Sequence, residues 1–218
     1  MACTRQVLRI ARRKAECRVL GPGKRAVIWF YGCSRRCPGC IASAMNSSGI
    51  FEEETPEGLA AWVRSVPGIE GITISGGEPF EQDEEALRRF LQLVREDGRS
   101  PGVICFSGFT LEQIRGSEKA DLLTCIDLLI DGPYVDGEND GRGLRGSRNQ
   151  HLSFLTPRYR SMERFFLSPQ ARNLEIELDM NGKILINGIP DRNFLGEFTK
   201  KMQAAGYALS FNPKENCS

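Results

Sequence analysis

The chain has a single histidine among its 218 residues. One imidazole excludes a His-rich metal site and any relay between histidines, and His151 is read as a surface or core residue rather than a proton carrier. No apolar stretch approaches the roughly 20 residues of a membrane-spanning helix, and the first residues lack the apolar core of a secretory signal. The expectation is a soluble, cytoplasmic protein with no membrane partner. A dominant sign of charge is missing as well. Lys and Arg total 29 against 28 Asp and Glu, so nothing in the overall balance calls for a polyanion, and no nucleic-acid partner is expected. The local basic excess lies in residues 1–25, where Arg5, Arg9, Arg12, Arg13, Lys14, Arg18, Lys24 and Arg25 face a single acid, Glu16. These are read as solvated side chains along strand segments at 6–10 and 17–20. Repeats and low-complexity tracts are absent, and a chain that is 40% hydrophobic can bury one sizeable core with an appendage.

Eight cysteines in a reducing compartment point away from disulfides. Five are scattered: Cys105 and Cys125 are expected as small buried residues on strands, and Cys3, Cys17 and Cys217 carry no pattern. The other three, Cys33, Cys37 and Cys40, fall within eight residues in a C-x3-C-x2-C loop with Pro38 and Gly39, directly after the apolar run 26–31. Such a loop lets several sulfurs face one centre. Iron-sulfur clusters normally take four cysteine ligands, so a compact set of three suggests an iron left open for another molecule. Structural zinc also wants four protein ligands; here it would need the distant His151. Three reduced thiols without metal complete the alternatives.

Strand and helix signals alternate along the first 155 residues. The run 26–31 reads as a strand buried on both faces. Thr55-Pro56 opens a helix, residues 70–75 form a strand, and a helix starts near Asp83 with Leu87, Phe90, Leu91 and Val94 inward. Strands follow at 102–106 and 125–130, separated by a Thr110/Gln113 capping box. Each strand ends in glycine or polar residues: the cysteine loop, Ser75-Gly76-Gly77-Glu78, Ser107 and Asp131. The expectation is an α/β fold, its parallel sheet curved into a partial (β/α) barrel with these groups on one rim. Residues 1–155 form the core and 156–218 an extension, with a hairpin about Asp179-Met180-Asn181-Gly182 and a last helix whose Phe194, Leu195, Phe198 and Met202 face inward. The extension either covers the open edge of the sheet or docks a partner or substrate.

Glycines at a strand end let backbone approach a ligand, and a carboxylate such as Glu78 can meet an ammonium group. Ser107 and Asp131 occupy equivalent positions, suited either to a ribose or to capping the next element.

The cysteine loop, residues 75–79 (Ser-Gly-Gly-Glu-Pro) and residues 145–150 (Arg-Gly-Ser-Arg-Asn-Gln) together resemble the radical S-adenosylmethionine superfamily over about residues 20–150. More narrowly, they resemble the activating enzymes of anaerobic ribonucleotide reductase and other glycyl-radical enzymes. The resemblance implies that Cys33, Cys37 and Cys40 each bind one iron of a 4Fe-4S cluster and that the fourth iron takes the amino and carboxylate groups of S-adenosylmethionine. It also implies that the Ser75–Glu78 turn holds the methionyl amino group and that the Gly39 backbone meets adenine. An electron from a flavodoxin or ferredoxin type donor would then release a 5'-deoxyadenosyl radical, which takes hydrogen from a glycine of a glycyl-radical enzyme. The cofactor carries that chemistry, so no protein acid, base or nucleophile is expected to be catalytic. Two other functions fit the same residues: modification of a small molecule or peptide, and a non-catalytic iron-sulfur or zinc protein.

Overall fold

The computed structural model describes residues 6–47, 49–168, 172–178 and 180–209. Cys3, Arg5, Cys217 and the hairpin's Asp179 lie outside them. One sheet organises the fold. Its strands are β1 (Leu8–Cys17), β2 (Arg25–Phe30), β3 (Glu52–Glu54), β4 (Gly71–Gly76), β5 (Gly102–Ser107), β6 (Leu128–Asp131) and β7 (His151–Phe154), in the spatial order β3-β1-β2-β4-β5-β6-β7. The four central strands β2, β4, β5 and β6 run parallel, and the flanking pairs are antiparallel. Among the described residues the hydrogen-bonded order ends at β3 and β7 without closing on itself. The α/β expectation therefore holds in its coarser form, a mixed fold around a mostly parallel sheet.

Strand β2 is buried along its whole length, as a strand covered on both faces must be. On one face pack α2 (Pro56–Ser65), α3 (Glu84–Arg95) and, following β5, α4 (Leu111–Arg115); the short α1 (Ala44–Ser47) follows the cysteine loop, and its Met45 packs on the other face. Thr55 caps α2 by accepting from the Gly58 N–H at 3.1 Å, and Asp83 caps α3 by accepting from Ala86 N–H at 2.9 Å. Helix α3 buries Leu87, Phe90, Leu91 and Val94, each contributing roughly 1.5–3 kcal/mol of apolar burial. The Thr110/Gln113 capping box forms as read. On the other face Val27, Trp29, Ile104, Leu128 and Ile130 meet Tyr159, Phe166 of α5 (Glu163–Phe166) and Ile189. Beyond them, β8 (Leu174–Leu178) pairs antiparallel with β9 (Ile184–Gly188) as the expected hairpin, followed by α6 (Phe194–Ala204).

Four sequence expectations change. Residues 8–10 of the first expected segment and Cys17 of the second belong to one ten-residue strand, β1, with irregular register between Ile10 and Arg12 and between Lys14 and Cys17; residues 6–7 and 18–20 fall outside it. Cys125 is not on a strand. Its segment closes a 3-10 turn, Ala120–Cys125, because the Thr124 hydroxyl donates to Asp121 O at 2.6 Å and Ile126 N–H to Leu123 O at 3.2 Å; the strand starts at Leu128. Arg25 is not solvated but fully buried. Finally, α6 buries no residue: Phe194 and Phe198 stack on each other at 5.6 Å, and Leu195 faces solvent.

Candidate active site

Parallel register lines up the carboxyl ends of the central strands. Trp29 lies beside Ser75, Phe30 beside Gly76 and Ser107 beside Asp131, so the loops that follow β2, β4 and β5 emerge on one rim. The ladder continues past the strands: Gly77 N–H donates to Phe30 O at 2.7 Å and Glu78 N–H to Gly32 O at 2.8 Å. A Cβ on Gly76, whose φ is +96°, would stand 2.6 Å from Phe30 N, and one on Gly77 would stand 2.1 Å from Gly32 O. These glycines are thus required by the close approach of the two loop stems to each other. Two residues that the sequence reading passed over complete the clamp. Glu81 accepts from Ser34 N–H at 2.8 Å, and buried Gln82 donates to Tyr31 O while accepting from Arg9 N–H, both at 3.0 Å.

The cysteine loop curls through two left-handed residues, Arg36 at φ 45° and Gly39 at φ 70°, and closes with Cys40 N–H to Cys37 O at 3.2 Å. Cys33, Cys37 and Cys40 are free thiols lining one cavity of about 190 Å³. That is more than ten times the space one water needs, so the cavity has room for a ligand. Burial raises the Cys33 and Cys40 thiols above the usual range, and Cys40 also feels Cys37 and Cys33. Among the described residues no three His, Cys, Asp or Glu side chains come close enough to hold a single metal ion. A cluster asks for something different, since it offers a separate iron to each thiolate. Three unpaired thiols around one cavity fit that demand.

Glu78 is the buried carboxyl of this cavity. Its Oε1 accepts from Phe80 N–H at 3.1 Å and from the Ser107 hydroxyl at 2.9 Å, and its Oε2 accepts from Gly108 N–H at 2.7 Å. Burial outweighs these donors and pushes the carboxyl up to about 7. Ser75, Gly76, Gly77, Glu78 and Ser107 all line the cavity with the cysteines. Gly39 and Asp131 do not. Gly39 lies on the exposed side of the loop, facing Asp136. Both Asp131 oxygens are taken: Oδ2 accepts from Leu111 N–H and Oδ1 from the Ser153 hydroxyl, each at 2.9 Å. Asp131 therefore fixes the start of α4 and ties β7 to the sheet.

The remaining walls come from segments whose contacts the sequence leaves open. In the 145–150 block, Gln150 Nε2 donates to Gly132 O and its Oε1 accepts from Gly146 N–H, both at 2.7 Å; Asn149 Nδ2 donates to Pro133 O at 2.8 Å. This block props up residues 132–135, and Tyr134 lines the cavity. Arg172 in turn donates to Arg145 O and Gly146 O of the block, the latter at 3.5 Å, and to Arg142 O just before it at 3.1 Å. Trp29 forms another wall, with the Arg12 guanidinium 4.9 Å above its ring. Ile186, Asn187 and Ile189 contribute the last wall, from β9 and the residue after it.

Against known proteins, residues 19–153 match the family described as the 4Fe-4S single cluster domain, and the chain belongs to that family. Within it, this is a radical S-adenosylmethionine enzyme of the activating type, working with a 4Fe-4S cluster and S-adenosylmethionine. Similar proteins include the anaerobic ribonucleoside-triphosphate reductase-activating proteins of Enterobacteria phage T4 (30% identical over 138 residues, 62% of this chain and 86% of the relative) and Vibrio cholerae (29% over 144 residues, 63% and 92%). The protein of that name from Escherichia coli K12 is 26% identical over 143 residues, again 63% and 92%.

Proposed function

We propose that the protein activates a glycyl-radical enzyme of the anaerobic ribonucleotide reductase kind, by reductive cleavage of S-adenosylmethionine in the cavity below Cys33, Cys37 and Cys40. The observation that carries this reading is the meeting of three free thiols and one buried carboxyl, Glu78, in a single cavity at the ends of parallel strands. When bound there, a 4Fe-4S cluster supplies the electron that breaks S-adenosylmethionine into methionine and the 5'-deoxyadenosyl radical that takes hydrogen from glycine.

The chain's own residues hold and orient. Cys33, Cys37 and Cys40 are the ligands, on a loop kept in place by Glu81 and Gln82. Glu78, held by Ser107 and Gly108, is the partner for the methionyl ammonium. A cation there favours its charged form and offsets the burial that pushes its carboxyl up. Ser75, Gly76 and Gly77 supply the backbone beside it, and Gly39, which faces Asp136 outside the cavity, serves through the left-handed turn it gives the cysteine loop. Apolar walls from Trp29 and Ile186 keep water from a reactive radical. Asp131 acts one step away, through α4. Residues 1–155 serve as the core, rolled toward a partial barrel, and the described part of 156–218 covers it. A cytoplasmic setting and a flavodoxin or ferredoxin type donor complete the proposal. Among the described residues no helix is long and apolar enough to cross a membrane.

The test is anaerobic reconstitution with iron and sulfide, followed by dithionite and S-adenosylmethionine. The expected products are 5'-deoxyadenosine and methionine and, with a glycyl-radical partner added, a glycyl signal by electron paramagnetic resonance. A reconstituted cluster that yields no 5'-deoxyadenosine would falsify the proposal.

A further inference from the structure

Asn187 lies on β9, beyond the family-matched residues 19–153. It is 1% exposed, it lines the cavity shared with the three cysteines, and its Oδ1 has no hydrogen-bond partner among the described residues. The other end of the amide is fixed: Nδ2 donates to Glu177 Oε1 at 3.2 Å. A carboxylate only accepts, so turning the amide over would set oxygen against oxygen. Glu177 is itself held from β1 by the Lys14 ammonium, and neighbouring Glu175 accepts from Arg18 N–H at 2.7 Å. A chain of polar contacts thus runs from β1 through Lys14 and Glu177 to Asn187 and leaves one buried acceptor unused on a residue that lines the cavity. Burying an amide oxygen without a donor is costly, and the hairpin retains this one in the wall of the cavity.

We propose that Asn187 is a ligand-binding residue, its Oδ1 accepting a hydrogen bond from an N–H or O–H group of the molecule bound over the cysteine loop. The hairpin is then more than a cover, because it contributes a polar contact to the site from outside the family-matched region. Two molecules carry such a donor: S-adenosylmethionine, through its ribose hydroxyls or adenine amino group, and a glycine-bearing peptide, through its backbone amides. The inference rests on the proposed function for the identity of these ligands.

The experiment uses the reconstituted full chain and reads binding directly, by equilibrium dialysis of S-adenosylmethionine and by fluorescence anisotropy of a labelled glycine-centred peptide. Asn187→Ala is expected to weaken one of the two about tenfold, the scale of a buried acceptor's bond. Loss on S-adenosylmethionine assigns the donor to the cofactor; loss on the peptide alone assigns it to the substrate. Glu177→Ala breaks the same hairpin anchor while keeping the amide, and is expected to cost less than threefold. Equal losses in the two variants, or no loss in either, overturn the proposal, because the amide would then serve only to dock the hairpin. A wild-type protein that binds S-adenosylmethionine yet forms no 5'-deoxyadenosine removes the proposed function and leaves this binding comparison intact.

Discussion

Two buried polar sites at the two ends of the parallel strands differ: Arg25 at the amino ends is fully paired, and Glu78 and Asn187 at the carboxyl ends are not. At the amino ends, Arg25 is fully buried and uses all five N–H donors: Nε to Thr73 Oγ1 at 2.7 Å, Nη1 to Tyr159 Oη and Pro22 O at 2.9 and 3.2 Å, and Nη2 to Ile72 O and Gly102 O at 2.5 and 2.9 Å. Nearby, buried Asp127 accepts from Val103 N–H at 2.7 Å and the Thr156 hydroxyl at 2.6 Å, and pairs with the charges of Arg158 and of Arg95, whose buried Nη2 meets it as an ion pair without a hydrogen bond. At the carboxyl ends, burial keeps Glu78 raised despite three donors, and Asn187 keeps an unused acceptor. A closed polar network secures a fold, whereas an open one has capacity left for something that arrives later.

The largest way to break this contrast is to open the closed end. Arg25→Met leaves two hydroxyls and three carbonyls without their donor in the core, and the expected loss is about 3–5 kcal/mol of stability. Urea denaturation of the apo protein measures it. A loss below about 1 kcal/mol would mean that the amino-end network is dispensable and that the two ends do not differ in this way.

The second change acts at the open end and shows as a pH slope. Glu78 rises from an ordinary 4.5 to about 7 on folding, so the folded state holds its proton longer than the unfolded one. The stability linked to this group is fully present below 4.5 and is lost as pH rises through about 7. Between pH 5 and 8 that amounts to about 2–3 kcal/mol. Glu78→Gln has no such proton and should flatten this part of the slope, while weakening S-adenosylmethionine through the lost carboxylate. Parallel slopes for the two proteins in urea titrations would show that Glu78 is not the group responsible.

The sequence declared the open end far better than the closed one. Cys33, Cys37 and Cys40, the Gly-Gly-Glu turn and Ser107 are local motifs at strand ends, and the structure brings them to one cavity. The caps at Thr55, Asp83 and Thr110 are equally local and fall where the sequence puts them. Long-range complementarity was harder to see. Arg25 looked like one more residue of a basic stretch because all but one of its acceptors lie 47 or more residues away. Strand β3 is three consecutive glutamates without apolar alternation; it pairs with the β1 edge, where Arg13 meets Glu52 at 3.6 Å and Glu54 at 3.5 Å. The glycines of the turn were assigned to ligand approach, but the steric reason for them is Gly32 and Phe30, which only the register of β2 against β4 brings near. Asn187 gave no signal at all, since one asparagine in a hairpin strand carries no pattern until the hairpin is seen against the cavity.

The smallest effect tests where the open region stops. Asp131 stands at the carboxyl end of β6 like a ligand residue, yet its two oxygens are committed to Leu111 N–H and the Ser153 hydroxyl. Asparagine can keep both contacts, with its oxygen accepting from Leu111 and its amide donating to the Ser153 oxygen. Asp131→Asn should therefore cost well under about 1 kcal/mol, whereas Asp131→Ala should cost about 1–2 kcal/mol through the lost cap. Neither should move the dissociation constant for S-adenosylmethionine by more than about twofold. If Asp131→Asn folded normally but bound S-adenosylmethionine tenfold more weakly, the carboxylate would be reaching the ligand, and the boundary between closed and open networks would have to be redrawn through β6.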